Sequence, residues 1–217
     1  MSSSELKERL RGEFLARRAS LAFEDVRRMS SRVAERLLSL PSYRSARRLA
    51  LYSSFRGEVL TDEIFQHALS SKREVYFPKV SEAARALVFC RVTGPEDLGP
   101  GSYNIAEPAG IHDAAAPGEL DLIVVPGVAF DLTGARLGYG KGYYDASLRA
   151  APAPGPGRAG GTAGGEKAAG TPPGPVVALA YEFQVYGGTI PVEDHDVRVD
   201  TLVTEKRVYD FRGRRGG

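Results

Sequence analysis

A nine-residue segment, residues 137–145, combines the residue types that could bind a nucleotide phosphate. Its sequence is Leu-Gly-Tyr-Gly-Lys-Gly-Tyr-Tyr-Asp, with three alternating glycines, one lysine and one carboxylate. Glycines let backbone N–H groups turn toward an anion, a lysine adds a positive charge, and an aspartate can bind the Mg²⁺ that accompanies a nucleotide. This segment, named the glycine loop here, is therefore a candidate phosphate site.

The spacing in the glycine loop excludes the two common glycine-rich nucleotide motifs. A Walker A site would need glycine at position 135 and serine or threonine at position 142, where the chain has Ala135 and Gly142. The dinucleotide fingerprint G-x-G-x-x-G fails because Gly142 comes one residue too early to be its third glycine. A glycine-rich surface turn is the alternative that the loop alone leaves open.

The sequence on either side of the glycine loop favours a functional role. Residues 122–125 form an unbroken apolar run, which predicts a strand buried on both faces, as parallel strands are. Residues 143–150 predict a short helix. A strand, a glycine-rich loop and a helix in this order place helix N–H groups and the positive end of the helix dipole at the loop, where phosphate binds.

The other elements predict an α/β domain with a mainly parallel sheet. Apolar residues recur at spacings of three and four in residues 4–18 and 23–40, which predicts two helices. A further helix over residues 61–70, capped by Thr61, separates the first two strands. The predicted strands are residues 48–53, 75–77, 87–92, 122–125, 176–180 and 201–204. The ligand crevice of such a domain lies at the carboxyl ends of its strands, and we expect the glycine loop to leave one of these ends.

Composition indicates one globular domain over residues 1–217, interrupted by one unusual segment. The chain is 42% hydrophobic and 26% charged, which suffices for a single sizeable core. In residues 151–175, by contrast, 20 of the 25 residues are alanine, glycine or proline, so this segment has no side chains to build a core. We predict a disordered or mobile surface insertion there, with a polyproline partner site as the alternative.

Charge and cysteine content limit which classes of partner and which cellular compartment we expect. Residues 1–50 carry twelve Lys and Arg against six Asp and Glu, but these charges alternate along helix patterns, which favours a solvated helix face over a nucleic-acid site. No segment reaches the roughly 20 apolar residues of a membrane span. The single cysteine, Cys90, excludes an internal disulfide and fits a reducing compartment. We expect a cytoplasmic protein that binds neither nucleic acid nor membrane.

In its motifs and their order, the chain resembles the 5-formyltetrahydrofolate cyclo-ligase family, whose members are also called methenyltetrahydrofolate synthetases. Several modest motifs occur in the family's order over most of the chain outside the 151–175 insertion. They are residues 7–11, 51–59, 77–80, 103–108, 125–131, the glycine loop, 178–184 and 194–200, followed by Thr204-Glu205.

The resemblance implies an activity, a fold and a set of small-molecule partners. The implied reaction converts 5-formyltetrahydrofolate to 5,10-methenyltetrahydrofolate, with ATP and Mg²⁺ as requirements and ADP and phosphate as products. ATP would phosphorylate the formyl oxygen, N10 of the folate would attack the activated carbon, and phosphate would leave. The implied fold is a three-layer α/β domain related to ribose-phosphate isomerases and coenzyme A transferases. We expect a monomer or a weak homodimer.

The resemblance also assigns roles to residues at the positions that match its motifs. Lys7 and Arg11, one helical turn apart, would contact ATP phosphates. The full set of implied ATP-binding residues is Lys7, Arg11, Arg136, Leu137, Gly138, Tyr139, Gly140, Lys141, Gly142, Tyr143 and Tyr144. The implied folate-binding residues are Ser53, Glu58, Tyr143 and Tyr144. Lys141 and Tyr143 would be catalytic, and Asp145 and Asp196 would bind Mg²⁺.

Structural alternatives accompany these assignments. Lys7 and Arg11 could be solvated charges, Tyr143 or Tyr144 could be a packing aromatic, and Asp196 could belong to a solvated acidic loop. Tyr139 departs from the family pattern, because some members carry a basic residue there. Two rival functions remain open at this point: a related enzyme that acts on a sugar phosphate or a coenzyme A ester, and a non-catalytic module that binds folate or a nucleotide.

Overall fold

The computed structural model describes residues 2–149 and 173–212. The predicted insertion lies outside these residues except for its last three, residues 173–175, where the Gly174 amide donates a hydrogen bond to the Leu120 carbonyl at 3.2 Å. Ala150, the predicted end of the short helix, also lies outside them. Within the described residues, no helix combines the length and the apolar character needed to cross a membrane.

The two long helices are confirmed, and the shorter ones need correction. The helices are α1 (Ser3–Ala19), α2 (Phe23–Ser39), α3 (Pro41–Ser45), α4 (Asp62–Ser70) and α5 (Tyr143–Leu148). The predicted side-chain cap on α4 is wrong. Thr61 makes no capping hydrogen bond, because its hydroxyl donates instead to the Tyr52 carbonyl at 2.7 Å.

The strands are more numerous than the sequence pattern predicts. They are β1 (Arg48–Ala50), β2 (Glu74–Ser81), β3 (Ala86–Val92), β4 (Leu98–Pro100), β5 (Ala106–Pro108), β6 (Ala114–Ala115), β7 (Leu122–Val125), β8 (Ala129–Asp131), β9 (Arg136–Leu137), β10 (Val176–Leu179), β11 (Val185–Tyr186), β12 (Thr201–Val203) and β13 (Val208–Asp210). All six predicted strands are present. The additional ones are mostly two or three residues long, too short to show periodicity.

Eight strands form one sheet, and its centre is parallel as predicted. The order is β13-β12-β10-β7-β1-β2-β3-β6, in which the pairs from β12 to β2 are parallel and the pairs at both edges are antiparallel. The chain passes from β1 to β2 on one side and later returns to β7 on the other side of β1. The sheet therefore has a switch point between β1 and β7, where open α/β sheets bind ligands.

Both faces of the sheet are buried, so successive residues of each central strand enter different cores. In β7, Leu122 and Val124 pack under α2 and α4, whereas Ile123 and Val125 pack on the opposite face with Leu148 of α5. This explains why the strand reads as a continuous apolar run.

A third apolar cluster fixes α1 against the strands that precede the glycine loop. Leu10 and Phe14 of α1 pack with Val128, Ala129 and Leu137 of the β8–β9 region. Together with β11, β8 and β9 form a separate three-stranded sheet. This packing brings the N-terminal helix beside the glycine loop.

The expected strand–loop–helix order around the glycine loop is wrong in one respect. The loop follows β9 rather than the central strand β7, because the β8–β9 hairpin intervenes. The start of the loop nevertheless lies at the carboxyl end of β7, since Nη1 of Arg136, the residue before the loop, donates to the Pro126 carbonyl at 3.4 Å. The helix after the loop, α5, has only six residues, with Gly142 as its N-cap.

Candidate active site

A cavity of about 600 Å³ opens at the switch point of the sheet. Tyr52 and Ser53, which follow β1, line one part of its wall, and Pro126 and Gly127, which follow β7, line another. The glycine loop and the start of α5 close a further side. The predicted nucleotide loop and the predicted folate residues thus share one cavity at the place where this fold class binds ligands.

Glu58 is a buried carboxylate in the wall of this cavity. Its exposed fraction is 5%, and it follows a turn in which Arg56 and Gly57 have positive φ angles of 46° and 72°. Oε2 accepts the Phe55 amide at 3.0 Å, and Oε1 accepts the Tyr139 hydroxyl at 3.0 Å. Burial raises the pKa of Glu58 to about 7, against the lowering effects of Arg18 and these two hydrogen bonds.

Arg18 of α1 is the cation that faces Glu58, and the sequence analysis did not identify it. Its Nη1 lies 3.9 Å from Glu58 Oε1 and donates to the Gly127 carbonyl at 3.3 Å, while Nε donates to the Arg56 carbonyl at 3.0 Å. The side chain is buried, which contradicts a solvated helix face at this position. A usable signal was present, since Arg18 continues the buried stripe of Leu10 and Phe14 at spacings of four.

Ser53 supplies an unsatisfied polar atom at the cavity. Its Oγ is buried and has no hydrogen-bond partner in the described part of the chain. An unpaired buried hydroxyl costs about 1–3 kcal/mol, which a ligand that pairs with it would recover. The predicted folate-binding role of Ser53 therefore has a physical basis.

The predicted catalytic pair, Lys141 and Tyr143, lies at the outer wall of the cavity with Tyr103. The hydroxyl oxygens of Tyr143 and Tyr103 are 3.3 Å apart, and Nζ of Lys141 is 5.7 Å from the centre of the Tyr103 ring. Tyr103 is an exposed residue to which the sequence analysis gave no role. Tyr144 lines the cavity wall, with the Arg136 guanidinium 5.3 Å from its ring centre, and burial raises its pKa.

The predicted ATP residues of α1 contact the glycine loop and a nearby acidic loop. Nε of Arg11 donates to the Gly138 carbonyl at 2.9 Å. Nζ of Lys7 lies 3.3 Å from Glu193 Oε1 and 3.4 Å from Asp196 Oδ2. Within the described ranges, neither cation lines the cavity wall. Both nevertheless lie on the helix face that borders the predicted phosphate site.

The fold brings the two predicted metal ligands into neighbouring positions. Asp145 Oδ1 accepts Nη2 of Arg136 at 2.9 Å and the Val197 amide at 3.1 Å, so this carboxylate lies beside the residue that follows Asp196. Among the residues that the structure describes, no group of three or more His, Cys, Asp or Glu side chains forms a preformed metal site. The donor set still fits Mg²⁺, which takes oxygen ligands and usually only one or two carboxylates beside phosphate and water.

Comparison with known proteins agrees with these features. Residues 3–205 match the 5-formyltetrahydrofolate cyclo-ligase family. A Caenorhabditis elegans protein named probable 5-formyltetrahydrofolate cyclo-ligase is 30% identical over 220 residues, covering 95% of this chain and 96% of that protein. The mouse 5-formyltetrahydrofolate cyclo-ligase is 29% identical, covering 92% and 93% of the two chains.

Solved structures of similar proteins share the fold. The structure of Aquifex aeolicus 5,10-methenyltetrahydrofolate synthetase superposes with a TM-score of 0.76 at 37% identity, covering 95% of this chain and 93% of that one. A Mycoplasma pneumoniae 5,10-methenyltetrahydrofolate synthetase, at 22% identity and a TM-score of 0.67, shows the same fold over 92% and 98% of the two chains. The family match over residues 3–205 confirms the resemblance that the motifs carry: this chain belongs to the 5-formyltetrahydrofolate cyclo-ligase family of enzymes.

Proposed function

We propose that this chain converts 5-formyltetrahydrofolate to 5,10-methenyltetrahydrofolate, consuming ATP in the presence of Mg²⁺ and releasing ADP and phosphate. One observation carries the proposal. In a chain of this family, a buried carboxylate and the glycine loop face the same cavity of about 600 Å³ at the switch point of the sheet. A folate and a nucleotide phosphate would therefore meet in one enclosed space.

The inner part of the cavity suits a pterin ring. Glu58 can accept hydrogen bonds from ring N–H groups on both of its oxygens, and Ser53 offers a hydroxyl that can donate or accept. Tyr52 and Tyr144 add flat apolar surface. We propose that these residues orient the folate so that its formyl group points toward the glycine loop.

The outer part of the cavity suits the phosphates of ATP. Phosphoryl transfer depends mostly on positioning and on neutralising charge. We propose that Lys141, Arg136 and the backbone of the glycine loop hold the transferred phosphate next to the formyl oxygen, with Arg11 and Lys7 supporting the phosphates from α1. Once the formyl oxygen carries the phosphate, N10 attacks the carbon and releases its proton to solvent, the C–O bond to phosphate breaks, and phosphate departs with the bonding electrons.

Asp145 and Asp196 are the residues that we propose to hold Mg²⁺. The metal would neutralise charge that develops on the phosphate oxygens during transfer. In the absence of ligand, Arg136 and Lys7 balance the charge of these two carboxylates. Arg136, which lines the cavity, could then contribute to the phosphate site directly, whereas Lys7 would act beside Asp196.

The proposal also includes a cellular compartment and an oligomeric state. Cys90, the single cysteine, is buried in β3, so the fold needs no oxidising compartment. We propose a cytoplasmic enzyme that works as a monomer or a weak homodimer with small-molecule substrates only. Sedimentation velocity over a range of protein concentrations measures the assembly directly.

A spectroscopic assay tests the proposed reaction. Purified protein is mixed with 5-formyltetrahydrofolate and Mg²⁺, with and without ATP, and the near-ultraviolet absorbance of methenyltetrahydrofolate is followed. The expected result is a rise that requires ATP. No rise with folded protein, beside an active enzyme as positive control, would overturn the proposal. Binding of folate without turnover would then indicate a non-catalytic module, and turnover of a sugar phosphate or a coenzyme A ester would indicate a related enzyme.

A further inference from the structure

The side chain of Tyr139 leaves the glycine loop and enters the folate end of the cavity. Its hydroxyl donates to Glu58 Oε1 at 3.0 Å and accepts a hydrogen bond from Nη2 of Arg18. The Arg18 guanidinium also lies 5.6 Å from the centre of the Tyr139 ring. One residue of the predicted nucleotide loop is thus hydrogen-bonded to Glu58, the predicted folate-binding carboxylate.

This arrangement leaves Tyr139 little capacity to bind phosphate through its side chain. A phenol has one proton to donate, and that proton is directed at Glu58. The backbone on the N-terminal side of Tyr139 is held separately, because Arg11 binds the Gly138 carbonyl at 2.9 Å. The side chain and the backbone of the loop therefore serve different parts of the cavity.

We propose that Tyr139 is a positioning residue for the folate site, which fixes the Glu58 carboxylate from the nucleotide loop. This inference rests on the proposed function, since it takes Glu58 as the acceptor of pterin hydrogen bonds. With Tyr139 on Oε1 and the Phe55 amide on Oε2, each oxygen keeps a lone pair for the ligand. The carboxylate is then presented to the folate in one orientation before the folate binds.

Electrostatics support the same role. Tyr52 and Tyr144 also face Glu58 and are phenols whose pKa burial raises, and the hydroxyl of Tyr181 donates to the Glu58 carbonyl at 3.1 Å. Arg18 is the cation that favours the charged form of Glu58, and the hydrogen bond from Tyr139 favours it further. Removing the Tyr139 hydroxyl should therefore raise the pKa of Glu58 above its value of about 7.

The test compares Tyr139→Phe with the matched control Tyr209→Phe, which removes a phenol–carboxylate hydrogen bond of 2.8 Å to Glu182 on the distant edge of the sheet. For Tyr139→Phe, KM for 5-formyltetrahydrofolate should rise about tenfold while KM for ATP stays within about twofold of wild type. The acidic midpoint of kcat/KM against pH should move upward by about one pH unit. Tyr209→Phe should change none of these quantities.

A second variant keeps the proposal testable if Tyr139→Phe fails to fold. Replacing Tyr139 by 3-fluorotyrosine retains the hydroxyl and makes it a stronger donor, so the acidic midpoint should move downward. An unchanged folate KM and midpoint in a folded, active variant would overturn the proposal, as would a rise confined to the KM for ATP. Failure of the proposed reaction is a separate result, because the wild-type protein would then show no ATP-dependent absorbance rise.

Discussion

Glu58, the proposed folate-binding carboxylate, has a cost for the stability of the fold. The carboxylate is withdrawn from water and has one cation, Arg18, at a distance of 3.9 Å. Burial disfavours the charged form of the acid more than Arg18 and the two hydrogen bonds favour it, which is why its pKa lies near 7 rather than at its ordinary value of 4.5. The buried Glu58 carboxylate therefore lowers the stability of the folded chain at neutral pH.

Because Glu58 is buried, the free energy of unfolding of the chain should depend on pH. Between pH 4.5 and about 7 the folded chain keeps a proton on Glu58 that the unfolded chain releases, so the free energy of unfolding falls as pH rises through this interval. The loss approaches about 3 kcal/mol when complete. Glu58→Gln lacks this contribution. The difference in the free energy of unfolding, Glu58→Gln minus wild type, should therefore increase by up to about 3 kcal/mol from pH 4 to pH 8.

Urea unfolding at several pH values measures this difference. The same substitution at Glu35, an exposed glutamate of α2, is the matched control, because that carboxylate meets water in both the folded and the unfolded state. A stability difference between wild type and Glu58→Gln that stays constant with pH would show that folding does not raise the pKa of Glu58.

Two neighbouring carboxylates allow the proposed metal role of Asp196 to be separated from its ion pair. Both Glu193 and Asp196 contact Nζ of Lys7, at 3.3 and 3.4 Å, but only Asp196 is proposed as a ligand. Asp196→Asn should raise the Mg²⁺ concentration for half-maximal turnover roughly tenfold, whereas Glu193→Gln should leave it nearly unchanged. Equal effects of the two substitutions would mean that Asp196 acts only through Lys7.

At the scale of the elements, the glycine loop depends on two residues with left-handed backbone. Gly140 and Gly142 have φ angles of +95° and +69°, and Gly142 forms the N-cap of α5. Space is not the constraint at Gly142, because an added Cβ would have no atom within 4 Å. The requirement there is purely one of backbone conformation.

A pair of alanine substitutions measures the cost of the left-handed backbone, because an added Cβ is uncrowded at both positions. Gly142→Ala should lower the free energy of unfolding by about 1–2 kcal/mol, the usual cost of a left-handed alanine. Gly138→Ala should change it by less than about 0.5 kcal/mol, because its added Cβ would only meet Arg136 Nη1 at 3.8 Å. Denaturant unfolding without ligands provides both values. Similar losses in the two variants would show that the left-handed backbone of Gly142 does not set the cost of its substitution.

The elements also show what periodicity can and cannot predict. The two long helices, the buried strand β7 and the glycine loop were predictable because their patterns extend over enough residues. The β8–β9 hairpin was not, since strands of three and two residues have no measurable period. Arg18 was missed for a different reason: its charge suggested solvent, although its spacing from Phe14 placed it on the buried face.

At the scale of the whole molecule, the site is assembled by the sheet. Glu58 and the glycine loop are far apart along the chain, and the crossover between β1 and β7 brings their segments to one edge. The hydrogen bond from the Val197 amide to Asp145 Oδ1 brings the segment of Asp196 beside the loop. Composition and spacing predicted an α/β domain with this edge as the crevice. The family resemblance supplied the individual residues, and only the fold showed that Tyr139 connects two parts of the cavity.

The connection between α5 and β10 sets a physical limit on removing the low-complexity segment. Residues 173–175 must be kept, because the Gly174 amide binds the Leu120 carbonyl and the Pro175 carbonyl accepts the Ile123 amide. Gly174 also lies so close to the chain that an added Cβ would be 2.4 Å from the Asp121 carbonyl oxygen. The deletion should therefore end at residue 172.

The replacement linker must also be long enough to cross the sheet. α5 packs on β3, which is four strand spacings from β10, or about 19 Å at 4.8 Å per strand. An extended chain needs at least about six residues for that span, and a path around α5 needs more.

Replacing residues 151–172 by about 12 glycine and serine residues should keep kcat/KM within about twofold and the Tm nearly unchanged. Deleting residues 151–175 with the same linker should lower the Tm, because the contacts to β7 are lost. A folded 151–172 variant with a collapsed rate would instead place the segment in the mechanism.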